Sequence, residues 1–243
     1  MKRWMQLWIL MLAAAALLSG QTSIAPVNGQ VTAEVNLLQA DHSTRPFADK
    51  ARVVVWLSSL DYPMPRVAGD RNSHRYQMVQ RNKHFEPTLL VVPVGASVDF
   101  PNKDPWFHNV FSLYQGKRFD LGLYQAGTVH SVHFDKPGAS YIFCNIHPQM
   151  SAVVLAIDSP YFGISDPAGR VSLGEVPPGR YRLHVWYQGS SQKVLDAVQR
   201  EITISAGKRD LGTLQLLANA PTQVAHKNKY GQDYDRDETN PTY

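Results

Sequence analysis

Hydrophobic residues recur along the chain mainly in short alternating runs, which is the pattern of half-buried β-strands. In the run Val129–Phe134, for example, Val132 and Phe134 share one face and His133 points the other way. Gly, Pro, Asn and Asp separate such runs and favour turns between them. The candidate strands before residue 160 are Gln30–Leu37, Arg52–Ser58, Thr88–Val92, Ser97–Phe100, Asn109–Ser112, Thr128–Phe134, Ala139–Cys144 and Ala152–Ile157. No strong helical periodicity follows the first twenty residues, so the pattern predicts an all-β protein.

A second β-rich unit is expected over residues 159–218. Turn-forming sequences at Asp166–Gly169 and Val176–Gly179 border a short strand, and Tyr181–Trp186 alternates strongly. A unit of about sixty residues is marginal for an independent core. It therefore either packs on its neighbour or uses strands from residues 30–79. The polar residues 219–243 predict a disordered tail.

The first twenty residues have the features of a secretory signal peptide. Lys2 and Arg3 precede an apolar run from Leu7 to Leu18, and small or polar residues follow it. The run is short for a membrane span, so we expect residues 1–20 to be removed, with cleavage at about 20–25. This predicts a periplasmic or otherwise exported protein with no membrane attachment after cleavage.

Composition narrows the classes of partner. The 243 residues are 44% hydrophobic and 18% charged, which is enough apolar material for a packed core. Without Lys2 and Arg3 the formal charge of +4 becomes +2. That value is too near neutral to indicate a nucleic-acid partner. The single cysteine, Cys144, cannot form a disulfide within the chain, and metal ligation would give its thiol a role in an oxidising compartment.

The segment from Cys144 to Met150 carries the most specific chemistry of the chain. His147 follows Cys144 by three positions and Met150 follows His147 by three. Thiolate, imidazole and thioether are soft ligands that select copper over magnesium, calcium or manganese. His108, in the segment Pro105–Phe111, is the candidate for the second imidazole. Taken singly, each residue could be ordinary core, but three soft ligands at fixed offsets are a narrower signal.

The predicted site holds one type 1 copper and leaves no open position for a substrate. It therefore suits outer-sphere electron transfer better than catalysis, and we predict that the protein is not an enzyme. His130 and His133 lie on opposite faces of a strand and cannot easily share a metal. No His-x-His pair, phosphate-binding loop or nucleophile elbow occurs in the sequence.

The sequence around these ligands resembles the plastocyanin/azurin group of cupredoxins. The resemblance rests on Gly95–Asn102, His108–Val110 and Pro137–Cys144, and the Cys-x2-His-x2-Met spacing is similar to the ligand loop of amicyanin. It implies a Greek-key β-sandwich over residues 80–158 with copper near one end. It also implies that Asn109 stiffens the ligand loops and that His147 lies close to the surface as the electron port.

The segment Asp166–Trp186 resembles carboxypeptidase regulatory-like domains. These share a small transthyretin-like or carbohydrate-binding-like β-sandwich, and the whole layout resembles exported methylamine-utilisation-like proteins. Tyr181, Trp186 and Tyr187 could stack on a sugar or could be core aromatics.

The function predicted from these features is that of an exported type 1 (blue) copper protein carrying single electrons to an unidentified redox protein. The alternative is a copper-binding or copper-delivery protein without catalysis. A module that interacts with the cell envelope, with possible glycan binding by the C-terminal domain, belongs to the same alternative.

Overall fold

The computed structural model describes residues 29–39, 50–64, 76–113, 116–207, 209–219 and 226–234. The predicted signal peptide lies outside these residues. Within them the fold is all-β apart from one short helix. In chain order the elements are β1 (Gly29–Gln39), β2 (Val54–Ser59), β3 (Tyr76–Gln77), β4 (Val79–Arg81), β5 (His84–Glu86), β6 (Leu89–Pro93), β7 (Ala96–Pro101), β8 (His108–Ser112), β9 (Phe119–Tyr124), β10 (Val129–Phe134), β11 (Gly138–Cys144), β12 (Ser151–Ile157), β13 (Phe162–Ile164), β14 (Arg170–Val176), β15 (Gly179–Trp186), α1 (Gln192–Val198), β16 (Arg200–Ile204) and β17 (Asp210–Ala218).

The first sandwich is built from strands β3 to β12. A five-stranded sheet in the order β6-β12-β11-β8-β9 packs on a sheet in the order β10-β7-β3, and β4 and β5 form a separate hairpin. The pairing of β6 with β12 is parallel, while β11 is antiparallel to both β12 and β8. Inward-facing residues of both sheets, including Phe100, Phe134, Ile142 and Val154, form one apolar core. The apolar runs of the sequence predicted six of these strands, β6, β7, β8, β10, β11 and β12, whereas β3, β4, β5 and β9 were not predicted.

The second sandwich combines both ends of the described chain. One sheet has the order β14-β1-β17 and the other has the order β13-β2-β15-β16. Strands β1 and β2 are therefore internal strands of sheets whose other members follow residue 160. The structure shows both alternatives predicted for the C-terminal unit, because it uses N-terminal strands and also packs on β12 of the first sandwich. The first sandwich is inserted between β2 and β13.

Strand β12 belongs to both sandwiches, because each of its two faces is buried in a different core. Val153, Leu155 and Ile157 belong to the core of the second sandwich, whereas Ala152, Val154 and Ala156 belong to the core of the first. A strand buried on both sides reads as a continuous apolar run rather than an alternating one. This explains why the sequence from residue 155 to residue 157 carries no polar position.

The helix α1 was absent from the sequence-based expectation. It has seven residues, of which only Leu195 is buried. Such a short helix with one buried residue leaves no repeating 3.6-residue pattern to detect. Within the described residues, no helix has the length and apolar character needed to cross a membrane.

Candidate metal centre

Sheet register brings the distant ligands together. His108 is the first residue of β8 and Cys144 is the last residue of β11. The two strands pair antiparallel with Cys144 opposite Val110 and Phe143 opposite Phe111. The end of one strand therefore lies beside the start of the other, although His108 and Cys144 are 36 positions apart.

The three nitrogen and sulfur donors converge in the buried interior. Nδ1 of His108 and Nδ1 of His147 each lie 3.6 Å from Sγ of Cys144. One donor atom from each residue lies within 4.8 Å of the others. Their side chains are at most 2% exposed. First-row metals bind such donors at about 2.0 to 2.3 Å, so a single ion can reach both imidazoles and the thiolate.

Met150 closes the ligand loop. Its amide donates to the carbonyl of His147 at 3.0 Å, and the amide of Cys144 donates to the carbonyl of Met150 at 3.3 Å. These two hydrogen bonds fold the loop into a tight turn. The side chain of Met150 is fully buried in the same apolar cluster as Cys144. The fold thus gathers all four residues predicted as ligands.

Asp104 determines which nitrogen of His108 faces the site. Nε2 of His108 lies 2.9 Å from Oδ2 of Asp104, and both side chains are buried. A carboxylate can only accept, so Nε2 carries the proton and Nδ1 presents its lone pair to the metal position. This carboxylate–histidine pairing orients metal ligands in many proteins and raises their basicity.

Asp104 is itself held by the backbone of a neighbouring turn. Its carboxylate accepts hydrogen bonds from the amides of Asn82 and Lys83, the second at 2.9 Å. Both residues have left-handed backbone conformations, with φ of 54° and 58°. Burial alone would raise the pKa of Asp104, but hydrogen bonds from Lys83, His108 and Asn82 hold it below its usual value. Asp104 is therefore ionised at neutral pH.

Asn109, predicted to stiffen the ligand loops, contacts several parts of the site. Its carbonyl accepts from the amide of Asn145 at 2.9 Å, and its side-chain Nδ2 donates to Oδ1 of Asp120 at 2.6 Å. Its backbone also hydrogen bonds to the sulfur of Cys144. Asn109 thereby links the segment that carries His108 to the segment that carries Cys144.

The protonation states of the metal-free donors follow from burial. Burial raises the pKa of the Cys144 thiol. Hydrogen bonds from backbone groups of Asn109, Ile146 and His147 act in the opposite direction but do not outweigh the burial. Burial also lowers the pKa of His108, against the carboxylate of Asp104. Burial, with repulsion from His108 and Lys83, lowers the pKa of His147 to about 4. At neutral pH both imidazoles are therefore neutral and ready to bind, and the thiol must release one proton.

The structure differs from the resemblance at His147. The cupredoxin pattern implies a histidine near the surface, but the side chain of His147 is only 2% exposed.

Residues 226–234 lie against the same loop, although they fall within the tail predicted to be disordered from 219 to 243. The hydroxyl of Tyr234 donates to the carbonyl of Cys144 at 2.7 Å.

The donor set is that of a type 1 copper centre. Two imidazoles, one thiolate and a thioether, all buried at the adjoining ends of β8 and β11 and in the loop that follows β11, fit the preferences of copper better than those of any hard cation. Sequence reasoning missed Asp104, Asp120, Lys229 and Tyr234. Asp104 could have been considered from the sequence, because it is a carboxylate only four residues before the predicted ligand His108. The other three lie in segments that only the fold brings near the ligands.

Other candidate residues have structural roles. His130 and His133 alternate on β10 as predicted, and His130 packs edge-on against Tyr124 at 4.6 Å between ring centroids. Tyr181, Trp186 and Tyr187 are at most 8% exposed and belong to the core of the second sandwich. Their rings are therefore engaged in packing.

No family model matches the chain, and no curated protein matches it. Among solved structures, a copper-containing nitrite reductase from Thermus scotoductus SA-01 is 25% identical with a TM-score of 0.33, over 35% of this chain and 22% of that chain. A purple cupredoxin from Nitrosopumilus maritimus is 23% identical with a TM-score of 0.31, over 34% of this chain and 99% of that chain. An oxidised mutant of amicyanin is 18% identical with a TM-score of 0.33, over 42% of this chain and 99% of that chain. Each of these similarities covers less than half of this chain.

Proposed function

We propose that the protein is an exported type 1 copper protein that carries single electrons. The observation that supports this proposal most directly is the convergence of His108, Cys144 and His147 within 4.8 Å, beside the buried Met150.

Each part of the site contributes to a geometry suited to electron transfer. Copper held by two imidazoles and a thiolate, with a weak axial thioether, can gain and lose one electron with little rearrangement. Asp104 fixes the ring of His108, and the turn that ends at Met150 fixes the other three donors. Four protein donors leave no free position for a substrate, which favours outer-sphere transfer over catalysis.

Export is part of the proposal. Lys2, Arg3 and the apolar run from Leu7 to Leu18 support secretion. A lone cysteine fits an oxidising compartment when a metal occupies its sulfur. The electron partner is proposed to be another exported redox protein.

The proposal is tested by the visible and EPR spectra of the protein loaded with Cu(II). We expect an intense thiolate-to-copper band and its loss in Cys144→Ser, while far-UV circular dichroism retains the β-structure. Ser112→Ala, at a buried hydroxyl elsewhere on β8, is the matched control and should keep the colour. A wild type that binds one equivalent of copper yet stays colourless would exclude the electron-carrier function.

Copper storage or delivery is the second candidate, and the burial of His147 favours it. An electron carrier benefits from a ligand edge close to its partner, whereas a carrier of copper benefits from a closed site. Repeated reduction and reoxidation in the presence of a Cu(I) chelator separates the two functions. Retention of copper through the cycles supports electron transfer, and release on reduction supports delivery.

A further inference from the structure

Residues 226–234, which we call the strap, form an ordered turn beside the copper site. The side-chain Oδ1 of Asn228 accepts from the amides of Tyr230 and Gln232 at 3.0 and 2.9 Å. The amide of Asn228 donates to the carbonyl of Gln232 at 2.9 Å. Gly231, with φ of 78°, supplies the left-handed residue that the turn requires. The strap is therefore organised by its own hydrogen bonds and presents Lys229 and Tyr234 to the site.

The strap is fastened to the segment that carries Cys144. The amide of Lys229 donates to Oδ1 of Asn145 at 2.8 Å, and the hydroxyl of Tyr234 donates to the carbonyl of Cys144 at 2.7 Å. The ring of His226 stacks on Phe143, the residue before Cys144, with 4.1 Å between centroids and 26° between planes. The three consecutive residues Phe143, Cys144 and Asn145 are thus contacted by His226, Tyr234 and Lys229, respectively.

The strap is also fastened to the segment that carries His108. Nζ of Lys229 lies 2.8 Å from Oδ2 of Asp120, and the other oxygen of Asp120 accepts from Nδ2 of Asn109 at 2.6 Å. The Asp120 carboxylate raises the pKa of Lys229. Through Asp120 and Asn109, one lysine therefore connects the neighbours of two ligands that come from different strands.

We propose that the strap is a working part of the copper centre, in which Lys229 and Tyr234 act as positioning residues. They hold the His108-bearing and Cys144-bearing segments at the separation that copper requires, and they slow the release of the metal. The proposal rests on the copper function proposed above. No ligand comes from the strap itself, because its contacts are to backbone and neighbouring side chains of the ligand residues.

The experiment compares Lys229→Gln and Tyr234→Phe with two control variants in the full chain. Lys227→Gln removes a cation whose pairing with Asp233 at 3.8 Å is exposed, and Asp233→Asn removes the other charge of that pair, at a side chain that is 89% exposed. Each protein is loaded with Cu(II) and mixed with excess EDTA. The rate of copper loss is then followed through the visible band, and the EPR spectrum of each loaded protein is recorded.

We expect each strap variant to lose copper roughly five-fold faster than wild type, the effect of losing about one hydrogen bond. We also expect an altered EPR hyperfine splitting, because a shifted ligand segment changes the geometry at copper. The control variants should match wild type in both readouts.

Several results would overturn the proposal. Wild-type release rates in both strap variants would do so, as would faster release with an unaltered spectrum, since that indicates a simple cover. Equal acceleration in the controls would indicate general loosening of the strap surface rather than positioning. Tyr234→Phe removes a single hydroxyl, so it provides a test even if Lys229→Gln is too unstable to purify. A colourless wild type would instead contradict the copper function itself.

Discussion

At the scale of single residues, the ligands depend on polar neighbours that bind no metal. The carboxylate of Asp104 selects the tautomer of His108, and the side chain and backbone of Asn109 connect both ligand segments. Each of these groups is buried, where an unpaired polar atom would be costly. The site is therefore a network in which the ligands and their supports require one another.

Asp104→Asn should weaken copper binding by roughly 10-fold to 100-fold, the usual cost of removing such a support. The amide keeps the shape but loses the charge that fixes the proton on Nε2 of His108. Competition with a chelator of known affinity measures the change. Asp135→Asn, at a 46% exposed residue paired with Lys117, is the control and should bind copper like wild type. Equal affinities for Asp104→Asn and wild type would show that this carboxylate does not support the ligand.

The metal-free protein should lose stability on acidification from about pH 6.5 to about pH 4. Burial and the nearby His108 and Lys83 lower the pKa of His147 from 6.5 to about 4. Between these values the unfolded chain binds a proton that the folded protein does not, so the free energy of unfolding falls as the pH falls. The full shift is worth on the order of 3 kcal/mol.

Urea denaturation at several pH values in this window measures the effect. The variant His147→Gln should show a flatter dependence, and His133→Gln, at an exposed position of β10, should keep the wild-type dependence. Parallel curves for His147→Gln and wild type would contradict the assignment to His147.

At the scale of elements, strand register decides which residues meet. The pairing of β8 with β11 places His108 beside Cys144, and a shift of one residue would turn each side chain to the other face.

In the second sandwich, β13 crosses β14 at Gly163. A Cβ at Gly163 would collide with the carbonyl oxygen of Ser172 and lie 2.8 Å from Cγ1 of Val171.

Gly163→Ala should therefore lower the free energy of unfolding by about 1 to 3 kcal/mol, the usual cost of overpacking. Gly207→Ala is the matched control, because a Cβ there meets no atom within 4 Å. Chemical denaturation of the two variants measures the difference, and the copper spectrum of both should stay like wild type. Equal stability of both variants would mean that β13 and β14 can separate without cost.

At the scale of the whole molecule, one sandwich is inserted into the other. The chain begins the second sandwich with β1 and β2, builds the copper-binding sandwich, and then returns to complete the second. The shared strand β12 buries one face in each core. This arrangement couples the stability of the copper domain to strands at both ends of the chain.

A fragment of residues 159–218 should fail to fold alone. Without β1 the strands β14 and β17 lose their common neighbour, and without β2 the strands β13 and β15 lose theirs. Circular dichroism and proton NMR dispersion of the fragment, compared with the full chain, measure this. Cooperative unfolding of the isolated fragment would contradict the shared-strand architecture.

Six strands of the first sandwich were predictable because each has its own run of apolar residues, whereas the short strands β3, β4 and β5 and the strand β9 were not predicted. Val132 and Phe134 alternate with Ser131 and His133 along β10, and the structure buries the first pair in the core. The placement of β1 was not predictable in this way. It pairs with β14 and β17, more than 130 positions away, and alternation within a strand does not name its partner.

The sequence by itself determined the spacing of Cys144, His147 and Met150, because covalent connectivity alone places all three on one short loop. It also determined that copper is the metal such donors select. Only the tertiary structure decided that Asp104 orients His108, that His147 is buried and that Tyr234 reaches the carbonyl of Cys144. Those contacts join segments far apart in the chain, and their formation depends on strand register and the packing of whole sheets, which no local pattern encodes.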